Sequence, residues 1–207
     1  GAHPSFPDLQ GFGRRNMSLS PNEIFDIVLY QVSALKGICE AFDARLHHVK
    51  PHGALYNLAA KDEKVAGAIA EAVKRIDAKL ILFGLSGSYS ISEAEKIGLK
   101  TASEVFADRT YQTDGSLTPR TQPNALIDST DKAIEQVLQM ILDKQVTATT
   151  GERIPIIAET ICIHGDGSHA VEFAKTINQS LTEKGIKIES SLFRKANVLA
   201  KVELLRQ

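Results

Sequence analysis

At 207 residues, 43% of them hydrophobic and 24% charged, the chain has the size and composition of one globular domain, able to bury roughly 70% of the surface it exposes unfolded; a disordered or fibrous chain is excluded. Lys and Arg number 24 against 25 Asp and Glu, for a formal charge of −1, without the basic block that a nucleic-acid backbone demands, and no apolar run reaches the ~20 residues of a membrane span. Cys39 and Cys162 lack CxxC spacing or a paired framework, so neither a disulfide scaffold nor a thiolate zinc site is expected, and a reducing cytoplasm is the expected setting.

The chain opens on Gly1-Ala2-His3-Pro4, which reads as the end of a strand turning into a loop, so the natural protein is expected to begin earlier. Ser20-Pro21-Asn22-Glu23 carries a helix cap, a proline at the first helical position and a glutamate three residues on, the pattern of a capping box. Ile24, Ile27, Val28, Val32 and Leu35 then recur at the spacing of one buried helical face. Residues 46–50 form a strand candidate, and residues 61–76 an alanine-rich helix with Val65, Ile69, Val73 and Ile76 on one side. The unbroken apolar run 80–83 fits a strand covered on both faces; residues 84–88 turn it into a helix around 91–97, and 101–106 is the next strand. Residues 107–126, with Gly115, Pro119 and Pro123 and no period, read as a long loop, a feature often tied to function. A helix over 130–142, a strand over 159–163, a helix over 170–181, a short strand near Ile186 and an amphipathic tail over 193–205 complete the chain; the tail is expected to dock on the rest of the fold or on a partner.

Strands separated by helices argue for βα units and a parallel sheet, over a single domain spanning residues 1–207. Both an open sheet and a closed barrel satisfy that alternation. Polar residues follow nearly every strand: His3 and Asp8, Lys50 and His52, Ser86, Asp108 and Arg109, His164 and Asp166. Barrel loops converge on one face, whereas an open sheet concentrates its chemistry on fewer switch-point loops, so the distribution favours an α/β barrel.

The segment from Gly1 to Arg15 packs His3, Asp8, Arg14 and Arg15 among glycines, a composition that suits a carboxylate or phosphate, or a tight loop with surface arginines. In His47-His48-Val49-Lys50-Pro51-His52-Gly53-Ala54-Leu55-Tyr56 an extended chain puts His48, Lys50 and His52 on one side and His47 on the other, unless Pro51 breaks the alternation. Lys50 beside His52 and Tyr56 can bind an anion or, if burial lowers its pKa, move protons; the alternative is a lysine paired with a structural carboxylate and a histidine capping a turn. Asp108 suits a general base or a metal-facing carboxylate and Arg109 a carboxylate clamp, or the two pair with each other; Glu104 shares the strand face of Asp108 if extension persists. His164-Gly165-Asp166 sits where a strand ends, and the two side chains suit a metal or a base with its orienting partner. His3, His164 and Asp166 are the metal-ligand candidates. The loop Gly84-Leu85-Ser86-Gly87-Ser88 has neither the lysine of a Walker loop nor the spacing of a dinucleotide fingerprint, and Ser86 lacks the context of a serine nucleophile.

Four stretches, GAHPSFPDLQGFGRR, HVKPHGALYN, EVFADRTY and ICIHGD, occur in that order, and through them the chain resembles the LamB/YcsF family over nearly its whole length. The resemblance implies a distorted seven-stranded (β/α) barrel similar to polysaccharide deacetylases, here apparently without its first two strands, on which the family carries Asn-Cys-Asp and His-Ala-Gly-Asp segments. It further implies the A component of a three-component enzyme that opens 5-oxoproline to glutamate with ATP, consumed through the assembled complex with components B and C; a divalent cation and a homo-oligomer are compatible with it. On this reading Lys50, His52, Asp108 and His164 are the catalytic candidates, and His3, Asp8, Arg14, Tyr56, Arg109 and Asp166 the substrate-binding ones. The alternatives are a stand-alone metal-dependent deacetylase or amidohydrolase, and a binding component that delivers substrate without chemistry of its own.

Overall fold

The capping box at Ser20 forms as the sequence predicts: the Ser20 side chain accepts from Glu23 N–H, and the Glu23 carboxylate accepts from Ser20 N–H at 2.7 Å, opening helix α1 (Pro21–Ala41). The computed structural model describes residues 1–165, 170–189 and 203–206. The chain's contacts group into two compact units, Gly1–Ala102 and Ser103–Gln207, each holding parallel strands and helices, the second with an antiparallel hairpin besides.

In the first unit α1 buries Ile24, Val28 and Val32, one residue per helical turn. Strand β1 (His48–Val49) leads directly into α2 (Gly53–Lys61), and α3 (Glu63–Ile76) follows after a single residue. That residue, Asp62, ends one helix and caps the next by accepting from Lys64 and Val65 N–H, so the helix expected over 61–76 starts at Glu63 and is preceded by a separate helix, α2, that the sequence analysis leaves unassigned. Strand β2 (Ile81–Leu85) pairs in parallel with β1, Val49 opposite Leu82. Helix α4 (Tyr89–Lys96) completes the unit and packs on α3, which in turn packs on α1, around a core that includes Val49, Leu55, Ile69 and Leu82. The first residues lie alongside β1: Ala2 N–H donates to His48 O and Lys50 N–H to Ala2 O, both at 2.9 Å. Ala2 thus forms a single parallel bridge with Val49 where the sequence reads as a strand end.

Strand β3 (Lys100–Phe106) leads into the second unit, where its buried residues pair in parallel with β6 (Thr160–Ile163), Glu104 opposite Thr160. Between them, α5 (Thr130–Leu138), capped by Ser129, widens into a π-helical turn over Gln139–Asp143. Next comes an antiparallel hairpin of β4 (Gln145–Thr147) and β5 (Arg153–Pro155), which the sequence analysis leaves unassigned. Helix α6 (Ala170–Glu183) buries Phe173, Ala174, Ile177 and Leu181, and β7 (Glu203–Arg206) runs parallel to β6. A single bridge residue, Ile188, stands where a short strand is expected, and most of the expected amphipathic tail lies outside the described residues. Among the described residues no helix is long and apolar enough to cross a membrane.

Leu82 is 1% exposed and Ile38 58% exposed, so truncating each to alanine separates core from surface. Leu82→Ala is expected to cost about 2–5 kcal/mol and Ile38→Ala less than about 0.5 kcal/mol, read as the shift in urea midpoint for each variant.

Candidate functional site

The polar residues of the first unit are brought together by the backbone pairing beside β1. Ala2 and Val49 point into the core, and by the alternation of an extended chain His3 and Lys50 point the other way. The ladder continues past Pro51, with His52 N–H donating to Pro4 O at 2.9 Å. His52 thereby stands at the start of α2 with its ring against His3: His52 Nδ1 lies 2.9 Å from His3 Nε2, and the ring centroids are 4.7 Å apart. The outer ring atoms meet carbonyls, His3 Nδ1 at 2.7 Å from Lys50 O and His52 Nε2 at 2.8 Å from Phe12 O. His48 stacks on Phe83 at 4.5 Å, while His47, expected to face away, brings its Nδ1 to 3.2 Å from His48 Nδ1. Lys50 and Tyr56 are buried, at 6% and 5% exposure.

Cationic neighbours and partial burial suppress protonation here. Part of the His3 ring reaches solvent, yet burial of the remainder, with the charges of His52 and Lys50, lowers its pKa to about 4. His48 is likewise lowered to about 4, first by burial and then by surrounding positive groups that include His47 and Lys50.

Asp8, expected to bind substrate, is the organiser of its own loop. Its carboxylate accepts from Gly11 N–H at 2.9 Å, from Arg15 N–H at 3.3 Å and from the Arg15 guanidinium. Arg14 lies over the Phe12 ring, 5.7 Å from its centroid. The loop closes onto α2 through two glycines in the left-handed region, Gly13 at φ 66° and Gly53 at φ 58°. Ala54 N–H donates to Gly13 O, and a Cβ at Gly53 would stand 2.6 Å from that oxygen, so a side chain there would lift the loop away.

In the second unit Asp108 and His164 form a pair. Asp108 Oδ2 accepts from His164 N–H at 3.2 Å and lies 2.7 Å from His164 Nδ1, while the His164 ring stacks on Phe106 at 5.7 Å. Burial pushes the Asp108 carboxyl up, but the hydrogen bond and charge of His164 outweigh it and leave the pKa below the ordinary value. Asp108 Oδ1 is buried without a hydrogen-bond partner among the described residues. Arg109 turns away from a clamp role: buried, it donates from Nε to Ala125 O at 3.2 Å and from Nη2 to Thr118 O at 2.5 Å, holding the loop after β3. Asp166 lies outside the described residues.

Two glutamines that sequence reasoning passed over position these groups. Gln31 on α1 accepts from Ser5 N–H at 3.0 Å and donates to Ser5 O at 2.8 Å, pinning the segment that carries His3. Gln136 on α5 donates to Phe106 O at 3.0 Å and Arg109 O at 2.9 Å, fixing the turn that carries Asp108. The signal available was a long polar side chain at or beside the inward phase of an amphipathic helix, next to Val32 and next to Val137. Among the described residues no three His, Cys, Asp or Glu side chains gather as metal ligands.

Comparison with known proteins places this geometry in context. A model of the LamB/YcsF family matches residues 1–196. The A subunit of 5-oxoprolinase from Tolumonas auensis is 57% identical over 190 residues, which span 92% of this chain and 76% of that protein. A protein of the same description from Bacillus subtilis is 54% identical over 188 residues, spanning 91% of this chain and 73% of its own length. The crystal structure of the lactam utilization protein from Thermus thermophilus superposes with a TM-score of 0.81 at 44% identity, covering 90% of this chain and 74% of that one.

The hydrogen bond from Arg15, supported by Gly11 and Arg15 N–H groups, holds the Asp8 carboxyl down at about 2 despite its burial. A folded pKa below the unfolded ~3.9 stabilises the fold above that value, and the contribution is lost as pH falls through the folded pKa. Asp8→Asn is therefore expected to be less stable than the parent at about pH 6 and to approach it at about pH 2, measured as urea midpoints across that range; a gap that does not narrow on acidification overturns the assignment.

Proposed function

The chain belongs to the LamB/YcsF family, and from that premise we propose that it is the A component of a 5-oxoprolinase, opening the lactam of 5-oxoproline to glutamate together with the partner B and C components in the cytoplasm. The observation that carries the reading is the 57% identity to a 5-oxoprolinase A component over 92% of this chain. The fold proposed with it is a distorted seven-stranded (β/α) barrel of the deacetylase type.

The lactam is an unstrained amide, and its hydrolysis needs coupling to ATP. ATP consumed in the assembled complex supplies activation of the amide oxygen as a leaving group, and any divalent cation is assigned to the nucleotide. The chain's own residues divide the remaining work. Asp108 fixes the His164 tautomer with the proton on Nδ1, so Nε2 is the basic nitrogen and can take a proton from the attacking water. Lys50 and His52 offset negative charge on the substrate as the ring carbon becomes tetrahedral. Arg14 is assigned the substrate carboxylate in preference to Arg109, whose donors serve the loop carbonyls. Tyr56 and Asp166 complete the proposed set of substrate contacts.

Reconstitution with the B and C components, following ATP and 5-oxoproline together, tests the reading. Turnover of both is expected in the parent, with a loss of about a hundredfold or more in Asp108→Asn and in Lys50→Ala. Intact coupled turnover in either variant removes that residue's role. Activity of the isolated chain on N-acetyl substrates without ATP overturns the function in favour of a stand-alone amidohydrolase.

A further inference from the structure

Phe12 breaks a local rule that its surroundings keep. Its backbone sits at φ 54°, in the left-handed region, where a bulky side chain is a rare occupant. The other non-glycine residues there, among the described ones, are Asp43 and Lys144, and both close helices: Asp43 follows α1, and Lys144 ends the π-helical turn after α5. No helix ends at Phe12. Its ring is 69% exposed and adds little to the core, so folding alone would favour a glycine at this position. The loop nevertheless holds the ring in place. Gly13 N–H donates to Asp8 O at 2.9 Å and Arg14 N–H to Gly11 O at 3.0 Å, so the turn is closed on either side of Phe12. Gly13 lets the loop settle against His52, since a Cβ there would stand 3.1 Å from His52 Cδ2. The Phe12 and His52 rings meet edge-on, with centroids 5.2 Å apart and planes at 83°, and the Arg14 guanidinium lies over the same phenyl ring. An exposed aromatic ring thus stands between the arginine assigned the substrate carboxylate and the histidine assigned to offset charge on the lactam.

We propose that Phe12 is a specificity-determining residue of the site, an apolar wall against which the ring methylenes of the lactam pack. The polar groups assigned above account for only part of the substrate. 5-Oxoproline carries its carboxylate and its amide along one edge of the ring and two methylenes along the other, and those methylenes need an apolar surface to leave water. Phe12 supplies one beside the arginine that takes the carboxylate, so both edges of the ring are held at once and its orientation is fixed. A wall of this kind favours a small cyclic acid over an open-chain amide acid of the same charge. The left-handed backbone is then the cost of aiming the ring at the site, in keeping with strain that collects where a ligand is gripped. The role deepens the substrate reading given above and rests on it.

Calorimetric titration of the full chain tests it with two ligands, L-5-oxoproline and N-formylglycine, which keeps the carboxylate and the amide but lacks the two ring methylenes. The parent is expected to prefer 5-oxoproline, and Phe12→Gly to lose about three- to tenfold of that preference. Glycine suits the local φ, so the same variant is expected to keep or raise the urea midpoint, which separates weakened binding from loss of fold. Phe12→Leu, which restores an apolar side chain, is expected to recover part of the preference. Leu9→Ala, a truncation on the same loop at a side chain 96% exposed, is expected to leave both affinities unchanged. An unchanged preference in Phe12→Gly overturns the wall even where both ligands weaken together, because the ring then serves only to hold Arg14. A loss of preference in Leu9→Ala equal to that in Phe12→Gly overturns it as well. A parent that binds neither ligand is a separate failure, which removes the substrate reading and the wall with it.

Discussion

The register of the first few residues against β1 is the constraint on which the cluster in the first unit depends. Three backbone hydrogen bonds set it, from Ala2 to His48, from Lys50 to Ala2 and from His52 to Pro4, each 2.9 Å long. Side chains alternate across an extended chain, so the same bonds that bury Ala2 against Val49 turn His3 toward Lys50 and His52. A slip of one residue would exchange the two faces, putting an imidazole into the core and a methyl group into the site. Gln31 makes such a slip costly, since its amide is matched to both the N–H and the carbonyl of Ser5. The helix that carries Gln31 is in turn started by the Ser20 box. A local capping preference, a helix phase and a strand register therefore agree, and a polar cluster drawn from residues far apart in sequence follows from them.

The two units hold groups of opposite electrostatic character. Around His3 the neighbours are cations and ring nitrogens, and burial acts with them against protonation. Around Asp108 a carboxylate is kept ionised by a histidine although burial opposes it. One carboxylate oxygen, Asp108 Oδ1, is left buried and unsatisfied among the described residues, a condition that costs about 1–3 kcal/mol. A core selected for stability alone would fill that need with a donor.

Much of this was legible in the sequence because it is local. The capping box, the apolar phase of α1 and α3, the continuous strand β2 and the polar residues at strand ends all follow from neighbours within a few positions. Helix α2 is hard to read from sequence because it starts inside the histidine-rich stretch, at Gly53 just after Pro51, and its apolar spacing at Leu55, Leu58 and Ala59 is short. The start of α3 lies two residues beyond the expected one because Asp62 serves as its cap, the role an aspartate favours over a place in the helix interior. The hairpin of β4 and β5 carries only three residues per strand, too short for a period to register. Strand-end chemistry could be located but not sorted: nothing local tells an aspartate that binds its own loop, as Asp8 does, from one that pairs with a distant histidine, as Asp108 does.

Arg109 shows how burial decides between such roles. It stands next to Asp108 in the sequence, and adjacency alone suggests an ion pair or a substrate clamp. The structure gives its guanidinium a different task, because the loop after β3 turns the carbonyls of Thr118 and Ala125 inward, and Arg109 donates to both. Were the side chain to swing out to a ligand, two carbonyls would lose their donor in a buried setting, at about 1–3 kcal/mol each. The gain from one carboxylate contact would barely offset that, and the loop would loosen in the process. Arg14 lies instead over the exposed Phe12 ring, where a planar cation can stack while its edge engages a carboxylate. That contrast is the reason the proposed substrate carboxylate is assigned to Arg14 and not to Arg109.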